Sequence, residues 1–330
     1  MDEGYMYMSL PLHIEKDRKL LIIGNGFDLD LNLKTGYDDF ISSHYFMDYV
    51  TGPVNLTELY LGKIHVSIFD YLYTIKTIKG WIDVETELAK LASINIVTRK
   101  KNDGRDITRK TKASKVEIDS FELLRLSLTE YLRNLDYNDI NTSSTALRLI
   151  NKIKHNQKFD IVTFNYTNIN RLDKFVGSIN NHINYIHGEL HTSSDKLKDD
   201  TSIILGFQDN IDIDDSFCFM IKSHSPYYKS CRLKFLLQYA SEVIFFGHSL
   251  GASDYPYFAD FFKGLCEPKS SDFKKVRIFT RDEQSRQNIL IQLRNMNNKQ
   301  TQMLYEYSDF DIYRTSMDQD KIDNFLNFEL

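Results

Sequence analysis

The stretch Lys19–Phe40, KLLIIGNGFDLDLNLKTGYDDF, joins an apolar run to a glycine turn and then to a helical start. Leu20, Leu21, Ile22 and Ile23 show no polar alternation, as expected of a strand buried on both faces. Gly24-Asn25-Gly26 breaks the run, Asp28 follows, and Thr35 with Asp38 signals a helix N-terminus. A buried strand ending in a glycine turn is how an α/β protein offers backbone N–H groups to a ligand. Glycines there admit close approach and positive φ. Only two of the three glycines of a dinucleotide fingerprint are present, so the remaining chain has to decide what the turn serves.

The 330 residues suffice for a large core, and 42% hydrophobic with 26% charged residues is ordinary for a soluble globular protein. The 22 Phe and 20 Tyr against 14 Gly and 5 Pro argue for packed structure rather than long disordered tracts. A net charge of −5 points to neither nucleic acid nor a membrane surface. Cys218, Cys231 and Cys266 lack CxxC spacing, which disfavours a zinc site or disulfide framework and fits a reducing cytoplasm; no metal is expected. The amino terminus carries early acids and no apolar h-region, so no signal peptide is expected, and no apolar run reaches the length of a membrane span.

After the strand at 19–24 no further strand is expected for well over a hundred residues, because the periodicity from about 35 to 155 is helical. Ile64, Ile68, Leu72 and Ile75 step at four and three, as do Phe121, Leu124, Leu128, Leu132 and Leu135. Arg99–Lys115 carries eight basic and two acidic residues and reads as an exposed mobile loop, with a nucleic-acid or partner contact as the alternative. From 156 strands alternate with helices: 159–164, 183–186, 202–207, 243–246, 276–279 and 303–307 read as strands. The expected architecture is a single α/β domain over 1–330 with a Rossmann-like, mostly parallel sheet from 19–30 and 156–310. A large helical insertion, 35–155, follows the first strand.

Four polar clusters sit just beyond the expected strands: Gly24-Asn25-Gly26-Phe27-Asp28, Asn165-Tyr166-Thr167, His187-Gly188-Glu189 and Gly247-His248-Ser249. The carboxyl ends of parallel strands share one edge, so the four are expected to line one crevice that takes a nucleotide or dinucleotide. Gly247-His248-Ser249-Leu250-Gly251 also fits a G-x-S-x-G nucleophile elbow, but no His follows Ser249 to activate it, and the simpler role of its turn is to hold a phosphate or ribose. His187 is either a packed core histidine or a general base, and Asn165 either an Asx turn or a holder of water or ribose. Asp28 and Asp254 are ligand contacts or helix caps. Trp81, Glu85 and Leu88 would share a helix face, leaving Asp83 and Glu85 as cap and salt-bridge groups or as carboxylates aimed into the crevice. A dehydrogenase is disfavoured, because the third glycine and the second Rossmann strand with its ribose-binding acid are missing.

In combination, LLIIGNGFDL, TGYDDF, WIDVETEL, TFNYT, IHGEL and FFGHSLGASDYPYF resemble the AbiH family of bacterial abortive-infection, anti-phage proteins, in the family's order over about 21–262. Asp30-Leu31-Asn32 departs from the family pattern. The resemblance implies a role in phage defence inside the infected cell, with a phage trigger that the sequence leaves unknown. A more distant resemblance, to sirtuin-like NAD-consuming proteins, implies mechanism. By it Asn165 and His187 would be catalytic, and Gly24, Asn25, Gly26, Asp28, Gly247, His248, Ser249 and Asp254 would hold NAD as substrate. The zinc-binding cysteine pairs of sirtuins are missing, so NAD hydrolysis is the implied reaction rather than deacylation. A non-catalytic nucleotide sensor is the alternative, a serine hydrolase or nuclease lesser ones, and an oligomer is compatible with the sequence.

Overall fold

The computed structural model describes residues 17–100, 106–190, 203–268 and 273–330; the amino-terminal segment and the centre of the basic stretch lie outside the described residues. Its strands are β1 (Lys19–Ile23), β2 (Asn95–Lys100), β3 (Asp106–Lys110), β4 (Phe159–Thr163), β5 (His182–Tyr185), β6 (Glu242–Phe246), β7 (Lys275–Thr280) and β8 (Asp309–Arg314). Six of them form one sheet in the order β5-β4-β1-β6-β7-β8, every neighbouring pair parallel. Numbered along the chain, these six lie 3-2-1-4-5-6, the order of a doubly wound Rossmann sheet, and the order reverses between β1 and β6. The α/β class and the helices inserted after the first strand are as expected.

Both faces of the sheet are covered, which explains the unbroken apolar runs. Leu20, Ile22, Val162, Phe245 and Ile278 pack on one side with the helices Tyr255–Gly264 and Glu283–Met296. Leu21, Ile23, Ile161, Ile244 and Phe246 pack on the other with the inserted helices. Successive strand residues point to opposite faces, so each strand feeds both cores. Each fully buried Leu, Ile or Phe contributes roughly 1.5–3 kcal/mol relative to exposure. The insertion is led by the helices Ile68–Lys79, Val84–Ala92, Lys115–Arg133 and Thr145–Ile153. The longest is started by a capping box of Ser114 and Glu117, and it buries Phe121, Leu124, Leu128 and Leu132 at helical spacing.

Three expectations about elements need correction. The insertion is not all helix: β2 and β3 pair antiparallel, so residues 99–100 and 106–110 of the stretch expected as a mobile loop are strand, its centre lying outside the described residues. Ile96, Val97 and Thr98, then Ile107 and Thr108, supply β-branched residues whose preference lies beneath the basic charge. The segment 203–207 is no ladder strand; Phe207 makes a single parallel bridge to Ile221. Gly206, at φ +135°, turns the backbone there against Met220, leaving no room for a Cβ. Residues 302–307 are helical, and the last strand begins only at Asp309. An alternating strand would have put Tyr305 and Tyr307 on one face with Met303, whereas the helix buries Leu304 and leaves both tyrosines exposed. Among the described residues no helix is long and apolar enough to cross a membrane.

Candidate functional site at the sheet's switch point

β1 and β6 are neighbours in register, Ile23 opposite Phe246, so their two glycine turns meet. Gly24 N–H donates to Phe246 O at 2.9 Å and Gly26 N–H to Gly247 O at 2.8 Å. A Cβ on Gly26 would lie 2.6 Å from Gly247 Cα, and one on Gly247, at φ +63°, 2.3 Å from Gly26 C. The glycines therefore let one backbone approach the other. The Gly26 N–H, expected to face a phosphate, is spent on this contact. Asn25 accepts a hydrogen bond from Thr35 Oγ1 at 2.6 Å, so Thr35 braces the turn instead of capping a helix.

Beside this junction lies a cavity of about 280 Å³. The sheet edge contributes Asp28, Asn165, His187, His248, Ser249 and Asp254, together with Gly24, Asn25 and Gly247. Of the expected site residues only Gly26 lies outside its lining. The insertion closes it with Tyr37, Ile82, Asp83, Glu85, Leu128 and Leu132, so the inserted helices roof the crevice.

Asp28 is buried and accepts a hydrogen bond from Thr167 Oγ1 at 2.8 Å. Burial raises its carboxyl to about 7, against the opposing pull of the Thr167 and Asn165 side chains. Asn165 Nδ2 donates to Gly24 O at 3.2 Å, tying β4 to the first turn and leaving Oδ1 as the acceptor this side chain can offer a ligand. The Asx cap belongs to Asn168, which accepts from Asn170 N–H. Asp254 stands before a helix but makes no side-chain cap; it lies 3.6 Å from His248 Nε2. Burial lifts Asp254 to about 6 and depresses His248 to about 3.

Both histidines are buried and engaged within the fold. His248 Nδ1 accepts the Leu250 N–H at 3.0 Å, which holds Leu250 in a left-handed turn at φ +52°. His187 Nε2 lies 3.1 Å from Lys222 Nζ, and its ring also bonds the Phe164 backbone. Burial first, then the Lys222 charge, holds His187 well below its ordinary value. Both rings stand edge-on to Phe164, with centroids 5.5 Å and 4.5 Å away. Ser249 is exposed, and among the described residues no histidine is bonded to it, so the nucleophile-elbow arrangement is not formed.

Lys222, which touches two lining residues, Glu85 and His187, was not among the residues expected at the site. It is only 2% exposed and pairs with Glu85 Oε2 at 2.7 Å. The Phe207–Ile221 bridge places it, because Lys222 N–H donates to Phe207 O at 2.9 Å. Glu85, raised by burial and lowered by Lys222, faces the cavity, and Tyr166 OH reaches it at 3.4 Å. Asp83 is the helix cap, accepting from Thr86 N–H. Trp81 precedes the helix and is 65% exposed, so it shares no face with Glu85.

A doubly wound α/β protein with a carboxylate-rich cavity at its switch point is thus the class that fold and site define. The family model for bacteriophage abortive infection AbiH matches residues 20–279, and the chain belongs to that family. Its role is accordingly in abortive infection of phage-infected bacteria. No curated protein matches the sequence.

Proposed function

We propose that this abortive-infection protein hydrolyses the nicotinamide–ribose bond of NAD in the cavity beside Asp28. The bond breaks with its electron pair passing to the nicotinamide ring, which leaves neutral, so the reaction requires no general acid. Water attacks the ribose carbon and gives up its proton, while the sugar passes through an oxocarbenium-like state. A cavity lined by Asp28, Asp83, Glu85 and Asp254, with only Glu85 directly paired to the buried Lys222 and no Lys or Arg in the lining among the described residues, suits a centre that becomes positive. It is ill suited to phosphoryl transfer.

The observation that carries the proposal is the Asp28 carboxyl, buried in that cavity, held by Thr167 and shifted into the neutral range. A base with its pKa near the working pH is the efficient choice. Asp28 would take the water proton, and Asn165 would orient a ribose hydroxyl. His187 would shape the wall through Lys222 rather than act as base. Loss of NAD suits a protein that stops phage growth by halting its own host.

Purified protein incubated with NAD, with and without phage lysate, should release nicotinamide. Asp28→Asn should cost about 10²-fold or more, in line with loss of a general base. His187→Gln should lower the rate without moving the apparent pKa. NAD binding without release in either condition would favour a nucleotide sensor instead.

A further inference from the structure

A second cavity, of about 680 Å³, lies on the other side of the paired glycine turns, over the carboxyl ends of β6, β7 and β8. The two cavities share Gly247, His248 and Ser249 as their common wall. Their chemistry is opposite. The first has four carboxylates, whereas the second is lined by Ser249, Thr280, Arg281, Asn288 and Thr315 with one carboxylate, Asp30. That carboxylate is already engaged, accepting the Ala146 N–H at 2.8 Å.

The second site is rigid at its base and open at its rim. Thr315 N–H donates to Thr280 O at 2.7 Å and Ser316 N–H to Arg281 O at 3.0 Å, sewing the ends of β7 and β8 together. The Arg281 side chain is 76% exposed and anchored through Nε to Asp282 at 2.9 Å, which leaves its terminal nitrogens as donors for an anion. Leu29, 45% exposed, adds an apolar surface. We infer that this cavity is a subsite for a nucleoside diphosphate, the remote half of a dinucleotide whose glycosidic bond lies beside Asp28. The inference rests on the NAD reading and extends it. The first cavity, at about 280 Å³, falls at the lower bound of roughly 300 Å³ for small-molecule sites, so a dinucleotide has to cross Gly247–Ser249. Its positive end then meets carboxylates and its phosphates meet Arg281 and hydroxyls.

Calorimetric titration of the full chain with ADP, AMP and inorganic pyrophosphate tests this without reading hydrolysis. ADP should bind, more tightly than AMP or pyrophosphate, and compete with NAD. Arg281→Ala and Asn288→Ala, both at exposed positions that leave the fold intact, should each weaken ADP by about 10-fold, the loss of a charge-assisted hydrogen bond. No ADP binding at millimolar concentration would overturn the inference, as would an unchanged affinity in both variants. Equal affinity for pyrophosphate and ADP would reduce the site to a bare anion pocket and overturn the nucleoside part. Nicotinamide release plays no part in these outcomes, so a failure of the hydrolysis proposal is seen separately.

Discussion

The Nζ of Lys222 sits 3.1 Å from Nε2 of His187, a buried cation against the acceptor nitrogen of a cavity-lining ring. A histidine whose acceptor nitrogen faces an ammonium cannot readily take a proton from water. The same lysine compensates Glu85 at 2.7 Å, so one buried cation sets the state of two site residues.

Lys222→Met should therefore be costly. Breaking a buried pair by removing one partner typically loses about 3–5 kcal/mol, because the other charge stays buried and unpaired. Adding Glu85→Gln to that variant should restore most of the loss, giving a non-additive cycle. Denaturant unfolding of the two single variants and the double variant reads this directly. Additive losses would show that the pair is not coupled.

Asp28→Asn should stabilise the protein above neutrality. The folded carboxyl is raised from 3.8 to about 7, so the folded state binds the extra proton between those values. Its contribution to stability is therefore fully present below about pH 4 and is lost as pH rises through 7. Three units at 1.36 kcal/mol each put the cost of ionised Asp28 at about 4 kcal/mol at high pH. An amide carries no such charge. The variant should gain on the order of 1–3 kcal/mol at pH 8, and little at pH 3, where Asp28 is protonated in the folded state and mostly so in the unfolded chain. A gain equal at both pH values would contradict the shift.

Gly26→Ala and Gly247→Ala should both open the junction of the two turns. The new Cβ would stand 2.6 Å or 2.3 Å from opposing backbone, which has no flexible end to move. Each should cost about 3 kcal/mol, the upper end of the range for strained core insertions. Gly264→Ala, at the end of a helix with nothing within 4 Å, is the control and should be neutral or stabilising by up to about 1 kcal/mol. Thermal unfolding of the three variants compares them.

Much of this was legible from local pattern. The doubly buried run Leu20–Ile23 and the glycine turns after β1 and β6 marked the crevice edge of the sheet, because both signals lie within a few residues of sequence, whereas the strand order that puts them at the switch point came from the fold. Asp28, Asn165, His187 and Asp254 do converge on one cavity. Lys222 was not legible: it closes an apolar run, and its partner Glu85 is 137 positions away. The hydrogen-bond partners of His187 were hidden for the same reason, since a side chain's protonation depends on neighbours that only the tertiary fold supplies. The β2–β3 hairpin was masked by charge, and residues 302–307 by apolar content without a clear period.

The most direct test follows the NAD pool in phage-infected bacteria carrying either the wild-type protein or Asp28→Asn, which supplies any phage trigger in place. NAD should collapse in wild-type cells before phage release and stay level with Asp28→Asn, whose protection should be lost. Full protection by the wild-type protein with an undiminished NAD pool would contradict the account.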